Sequence, residues 1–354
     1  MFTISVCMIV KNEQKTLARI LECARQFADE IIIVDTGSSD NTKQIAKIYT
    51  QNVFDFEWND DFASARNFSF SKGTCDYLCW LDADDYIKKS EIQKIIKLKN
   101  SNITADVFMF KYAMGFADGK PTFKFFRERL LKKSKNFVWQ GIVHEAISPS
   151  GKIVYEDIEI WHKKQSSTYS DRNLKIYQNA INNNMHLDAR QTYYYARELF
   201  YHQHYSNCLE VIEKYFDKND TFEPNIINAH IIKANCFIFQ KKYNNAISCI
   251  FECIANYYPT PEICCKLGEI FYYKNNLEQS VFWYTNALHC KKQTQGFVDE
   301  KYEFLIPCLQ LTKIYYHLGE QEKSYKCHLL LKNIFPKNKC VIYNDNFFDN
   351  LKNK

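Results

Sequence analysis

Tyr77-Leu-Cys-Trp-Leu-Asp-Ala-Asp-Asp-Tyr86 sets the reading of the chain. Residues 77–81 form an apolar, aromatic-rich run too short for a helix, and therefore a strand. It ends in three acids, Asp82, Asp84 and Asp85. Carboxylates at the C-terminal end of a strand in an α/β sheet lie where such sheets bind ligands. Asp82 and Asp84 are two residues apart and so point the same way on an extended chain. Two hard oxygen donors on one side suit Mg²⁺ or Mn²⁺. The competing reading is an acidic turn in which Asp85 or Ser90 caps the next helix. An isolated Asp-x-Asp would favour that reading, so the segments before it decide the matter.

Ile4–Val10 is a continuous apolar strand of the kind buried on both faces of a parallel sheet. Helical spacing follows over residues 16–27, through Leu17, Ile20, Leu21, Ala24 and Phe27. Residues 30–34 are a second strand ending at Asp35, where a carboxylate can accept hydrogen bonds from a base or ribose. Gly37, Ser38, Ser39 and Asp40 make a turn into a helix over Thr42–Tyr49, and residues 53–56 read as a third strand. Alternating strands and helices predict a doubly wound parallel sheet. Further on, residues 90–98 read as a helix and residues 107–112 and 124–129 as strands, with Asp118-Gly119 turning between them. Phe137-Val-Trp-Gln-Gly-Ile-Val-His-Glu145 and Ile158-Glu-Ile-Trp-His162 complete this part.

The character changes after Lys164. Residues 165–168 are a polar linker, residues 169–184 a helix running back along the first domain, and no strand pattern survives beyond it. Leu267-Gly268-x-x-Phe271, Ser280, Tyr284 and Ala287 fit the paired helices of a tetratricopeptide repeat. Ala246 stands one period of 34 residues before Ser280. Other copies run through Ala196, Cys208 and Ile212, and through Leu311, Ser324, Leu331 and Pro336 after an insertion near residues 291–301. The competing reading is a nonrepeating bundle. Stacked helix pairs make a surface for peptides, for partner proteins or for a second copy of the chain.

Composition excludes several classes. The net charge of +5 in 354 residues is spread over both halves, which argues against nucleic-acid binding. The 14 cysteines form no Cys-x-x-Cys, and most of the ten beyond residue 165 fall at apolar helical positions, so they read as reduced small hydrophobes and point to the cytoplasm. No apolar run reaches the ~18 residues of a membrane span, although peripheral membrane contact stays open.

Four blocks in order, Ile4-Ser-Val-Cys-Met-Ile-Val-Lys-Asn-Glu13, Glu30-Ile-Ile-Ile-Val-Asp-Thr-Gly-Ser-Ser-Asp-Asn-Thr42, Trp58-Asn-Asp-Asp-Phe-Ala-Ser-Ala-Arg-Asn67 and Trp80-Leu-Asp-Ala-Asp-Asp85, resemble family 2 glycosyltransferases of the GT-A fold. The resemblance implies inverting transfer of a sugar from a nucleotide-sugar, with UDP as the expected nucleotide. It implies that Val10, Asn12, Glu13 and Asp35 face the nucleotide, that Arg66 helps hold the donor, and that Asp82 and Asp84 bind Mn²⁺ or Mg²⁺. Many relatives have Glu where this chain has Asp85. A Trp-x-Gly-x-x-His-Glu block sits over the donor–acceptor junction in similar enzymes. Glu145 is the first candidate for the base and His144, whose natural basicity lies nearer neutral pH, the second. Late histidines often complete the metal shell in this fold, and His162 is placed for that.

The expected architecture is a Rossmann-like mixed-sheet GT-A domain over residues 1–165, an all-α tetratricopeptide-like domain over 166–343 and a frayed tail over 344–354. The two-part layout resembles the sublancin-type peptide S-glycosyltransferases, which implies a peptide or protein acceptor. Similar layouts among enzymes of surface polysaccharide and lipopolysaccharide-core assembly leave a glycan acceptor open. A non-catalytic repeat scaffold is the reading from another class, and intact Asp82, Asp84, Arg66 and Glu145 argue against it.

Overall fold

The computed structural model describes residues 1–117, 120–163, 170–290 and 299–352. The expected turn at Asp118-Gly119, the linker at 165–168 and residues 291–298 of the insertion lie outside the described residues. The chain divides into two compact units, Met1–Leu187 and Asp188–Lys354.

The first unit runs β1 (Ile4–Val10), α1 (Leu17–Ala24), β2 (Glu30–Asp35), α2 (Thr42–Tyr49), β3 (Val53–Asp55), α3 (Phe62–Lys72), β4 (Tyr77–Trp80), β5 (Asp85–Tyr86), α4 (Lys89–Lys99), β6 (Val107–Ala117), β7 (Lys120–Lys132), β8 (Ile153–His162) and α5 (Arg172–Asn182). Its sheet has the order β3-β2-β1-β4-β7-β6-β8-β5. The first four strands are parallel, β7 is antiparallel to β4 and to β6, and β5 is antiparallel to β8. This is the mixed sheet that the GT-A resemblance implies; the all-parallel sheet predicted from strand–helix alternation holds for β1 to β4 but not for the whole sheet, because β5 and β7 run antiparallel to their neighbours. Successive residues of one strand enter different cores, because side chains alternate across a pleated strand. Val6, Met8 and Ile33 pack with Leu17, Ile20 and Leu21 of α1, whereas Cys7, Ile32 and Trp80 pack with Ala63 and Phe70 of α3. Both faces of the parallel half are thus covered, which is why residues 6–10 of β1 and 31–34 of β2 are apolar without a break.

Asp85 does not cap a helix. Helix α4 has Lys88 at its N-cap with no side-chain cap bond, and Asp85 is fully buried where β5 pairs with β8. The first unit extends beyond the anticipated boundary at 165 because it includes α5, whose Leu174, Ile176 and Tyr177 are buried.

The second unit stacks helix pairs: α6 (Ala189–Tyr201) with α7 (Tyr205–Phe216), α8 (Glu223–Phe239) with α9 (Tyr243–Asn256), α10 (Pro261–Tyr273) with α11 (Leu277–Ala287), and α12 (Leu305–His317) with α13 (Gln321–Ile334). One contact recurs at the same offset of twelve residues. Cys208 Sγ lies 3.2 Å from the Ala196 carbonyl, Ser280 Oγ donates to the Gly268 carbonyl at 2.7 Å, and Ser324 Oγ to the Thr312 carbonyl at 2.6 Å. Small residues there let the paired helices approach closely. At Gly268 a Cβ would stand 2.7 Å from the Tyr284 ring. The segment expected to fray is helix α14 (Lys339–Lys352), because Val341 and Phe348 bury apolar surface. All fourteen thiols are free, and ten are buried.

Candidate active site

The carboxyl ends of β1, β2 and β4 open into a cavity of about 430 Å³. Val10, Glu13, Arg66, Asp82, Asp84, His144, Glu145 and His162 all line it. Asn12 and Asp35 do not. Asn12, at φ 58°, ties two loops together: its N–H donates to Ser38 Oγ at 2.9 Å, and its Oδ1 accepts from the Ser39 N–H at 2.8 Å. Asp35 Oδ1 accepts from the N–H groups of Gly37 and Ser38, and Oδ2 is buried with no protein partner among the described residues.

One end of the cavity is built around the Asp-x-Asp. Asp82, Asp84, Asp85 and His162 each offer a donor atom, and these atoms all lie within 4.8 Å of one another. The cross-strand register explains the meeting: Asp85 of β5 is directly opposite His162 of β8. His162 Nδ1 stands 3.2 Å from Asp84 Oδ1 and 3.4 Å from Asp85 Oδ1. The Tyr112 hydroxyl sits between them, donating to Asp85 Oδ1 at 2.8 Å with His162 Nδ1 also 2.8 Å away. Burial pulls the imidazolium down, but bonds to Asp84 and Asp85 outweigh it and push its pKa up to about 10. Burial likewise favours a neutral Asp82, yet Arg66, His162 and Arg129 hold its carboxyl well below the usual range. Glu13 is raised, chiefly by burial and secondarily by the charges of Asp84 and Asp82. The donor set of three carboxylates and one imidazole fits a hard or borderline divalent cation.

Arg66 joins that end to the other. It sits on α3, whose N-terminus is capped by Asp61 accepting from the Ser64 N–H. Its Nη2 donates to Asp82 Oδ1 at 2.8 Å and its Nε to Glu145 Oε1 at 2.6 Å. The Trp80 and Trp139 rings flank the guanidinium at 5.0 and 4.9 Å. A single guanidinium thus connects Asp82 with Glu145. His144, on the same irregular loop, is held at φ 53°.

Several residues had no distinguishing mark in the sequence. Arg127 lines the cavity and lies 4.8 Å from the Trp80 ring, while Arg129 is fully buried and donates to the Trp80 carbonyl at 2.9 Å. A bulge falls at Arg129, between Leu130 opposite Phe108 and Glu128 opposite Met109, so regular strand alternation does not foretell where the two arginines point. Arg172 and Asn173 reach the cavity from α5, and nothing in that amphipathic helix marks them.

The family profile of glycosyl transferase family 2 matches residues 5–203, more than half of the chain. Among curated proteins, the chain is 40% identical over 85 residues to a TPR repeat-containing protein of Synechococcus elongatus, covering 24% of this chain and 21% of that protein. It is 34% identical over 98 residues to the prophage-derived glycosyltransferase SunS of Bacillus subtilis, covering 27% and 23%. An uncharacterized glycosyltransferase of Nostoc is 30% identical over 124 residues, covering 33% and 38%. The chain thus matches well under half the length of these relatives. Distant solved structures include PilW, a type IV pilus biogenesis factor, at TM-score 0.41, 15% identity and coverage of 49% and 74%. Glucosyl-3-phosphoglycerate synthase of Mycobacterium tuberculosis with Mg²⁺ and UDP aligns at TM-score 0.27, 19% identity and coverage of 32% and 44%. On the extent of the profile match, this chain belongs to glycosyl transferase family 2.

Proposed function

We propose that the chain is a metal-dependent, inverting glycosyltransferase that moves a sugar from a UDP-sugar to a peptide or protein side chain. The observation that carries this reading is the convergence, in one cavity, of the Asp82/Asp84/Asp85/His162 donor set with Arg66 and Glu145. Asp82 and Asp84, with His162, would hold Mn²⁺ or Mg²⁺, and Asp85 and Tyr112 would keep those ligands in place. A divalent cation there supplies the positive charge that a departing nucleoside diphosphate requires.

The chain's own groups have separate tasks. Arg66 fixes Asp82 and Glu145 in one geometry, and its planar fork suits both carboxylate and phosphate. Glu145 takes the acceptor's proton, with His144 the second candidate. The Arg66 bond holds Glu145 in place at the wall, so proton transfer through Glu145 requires that bond to loosen as phosphate claims the guanidinium. Asp35 offers its unpartnered Oδ2 to the nucleoside while Oδ1 holds the turn. The stacked helix pairs of the second unit, and the resemblance of the two-part layout to sublancin-type peptide S-glycosyltransferases, support a peptide acceptor. Incubating the protein with UDP-sugars and separate peptide and glycan acceptors tests this. A sugar-modified peptide with inverted anomeric configuration is the expected product; a modified glycan alone, or retained configuration, contradicts the proposal.

A further inference from the structure

The second unit has a cavity of its own, of about 260 Å³, where the ends of α7 and α9 meet α8. Three rings (Tyr215, Phe216 and Tyr257), two carboxylates (Asp220 and Glu252) and His230 line it. No lysine or arginine is among its lining residues. Asp220 is fixed: it accepts from the Tyr215 hydroxyl at 2.8 Å, the Phe222 N–H at 3.0 Å and the Asn225 amide at 3.4 Å. Glu252 is exposed and makes no ion pair among the described residues. Nearby Lys233 pairs with Glu213 at 2.7 Å, so its charge is already matched.

His230 supplies the second observation. It is 6% exposed, lies 4.5 Å from the Phe216 ring, and its Nδ1 is 3.9 Å from Cys249 Sγ. Its Nε2 has no partner among the described residues. Burial, helped by Lys233 and opposed by Glu252, lowers the pKa of this ring and so favours its neutral form. With its proton on Nδ1, the buried ring presents an acceptor to the cavity.

We infer that this cavity binds a cationic side chain of a polypeptide, the guanidinium of an arginine or the ammonium of a lysine. Ring faces and carboxylates together attract a cation, and the neutral Nε2 accepts one of its N–H groups. An anion would meet two like charges, and an apolar group would leave Nε2 and Glu252 unanswered. The volume falls below the range of small-molecule pockets and suits a single side chain reaching in from the surface.

The test titrates the full chain, ¹³C-labelled at histidine, with Nα-acetyl-arginine amide, Nα-acetyl-lysine amide and the uncharged isostere Nα-acetyl-citrulline amide, followed by NMR. The His230 signals, assigned by their loss in His230→Gln, should move and saturate in the millimolar range with the two cations and not with citrulline. Glu252→Gln, at an exposed position the fold does not depend on, should weaken arginine binding about five-fold. Equal effects of arginine and citrulline, His230 moving with sodium acetate instead, or undiminished arginine affinity in Glu252→Gln would overturn the assignment. No nucleotide takes part, so the outcome is independent of the transfer reaction.

Discussion

Replacing Arg66 by methionine removes the guanidinium that Asp82 and Glu145 share. The Arg66 side chain is 9% exposed, and its two charge-assisted bonds measure 2.8 and 2.6 Å. Deleting one partner of a buried ion pair costs about 3–5 kcal/mol, mainly through the charge left behind. Asp82, at 27% side-chain exposure, can rehydrate and keeps Tyr112 as a neighbour, so the loss falls at the lower end. Methionine preserves most of the volume between Trp80 and Trp139, which limits any cavity contribution. The expected destabilisation is therefore about 3 kcal/mol, or roughly 6–12 °C in Tm for a unit of this size. Arg66→Lys keeps the charge but not the fork, and should lose about 1–1.5 kcal/mol, one charge-assisted bond made weaker. Urea unfolding followed by tryptophan fluorescence measures both, since four of the five tryptophans lie in the first unit. An Arg66→Met protein within about 0.5 kcal/mol of wild type would refute the claim that this bridge organises the site.

Glu145→Gln should lower kcat about 10²–10⁴-fold toward a hydroxyl acceptor while donor affinity holds, and less toward a thiol, which ionises more readily. Full activity in Glu145→Gln with none in His144→Ala would transfer the role of base to His144. Asp35→Ala should weaken calorimetric binding of the free nucleoside diphosphate; an unchanged affinity returns Asp35 to the turn alone. Gly268→Ala places a methyl 2.7 Å from the Tyr284 ring and should cost about 1–3 kcal/mol in denaturant unfolding, unless α10 and α11 can part freely.

The parts of the site that could be read from the sequence are those that depend on local chain geometry. Asp82 and Asp84 follow a strand too short and apolar to be anything else, so their place at its carboxyl end followed directly. The repeats were legible because Ala246 and Ser280 mark helix contacts that recur with period. What escaped depends on pairing between distant segments. The burial of Asp85 beside His162 and Tyr112 follows from the pairing of β5 with β8, which no local feature of the acidic stretch announces. Arg66 read as a ligand for the donor, because nothing in its own helix tells that Glu145, 79 residues later, returns to it. The boundary near 165 followed a change in composition, whereas the compact unit is set by the burial of Tyr177 on α5.

In the proposed reaction Asp82 and Asp84 serve metal-assisted departure of a nucleoside diphosphate. UDP release from a panel of UDP-sugars, with and without Mn²⁺ or Mg²⁺, tests it most directly. Wild-type protein should release UDP only with the cation, and Asp84→Asn, correctly folded by circular dichroism, should fall by at least ~10²-fold. Release that survives a chelator, or that is undiminished in Asp84→Asn, would contradict the account.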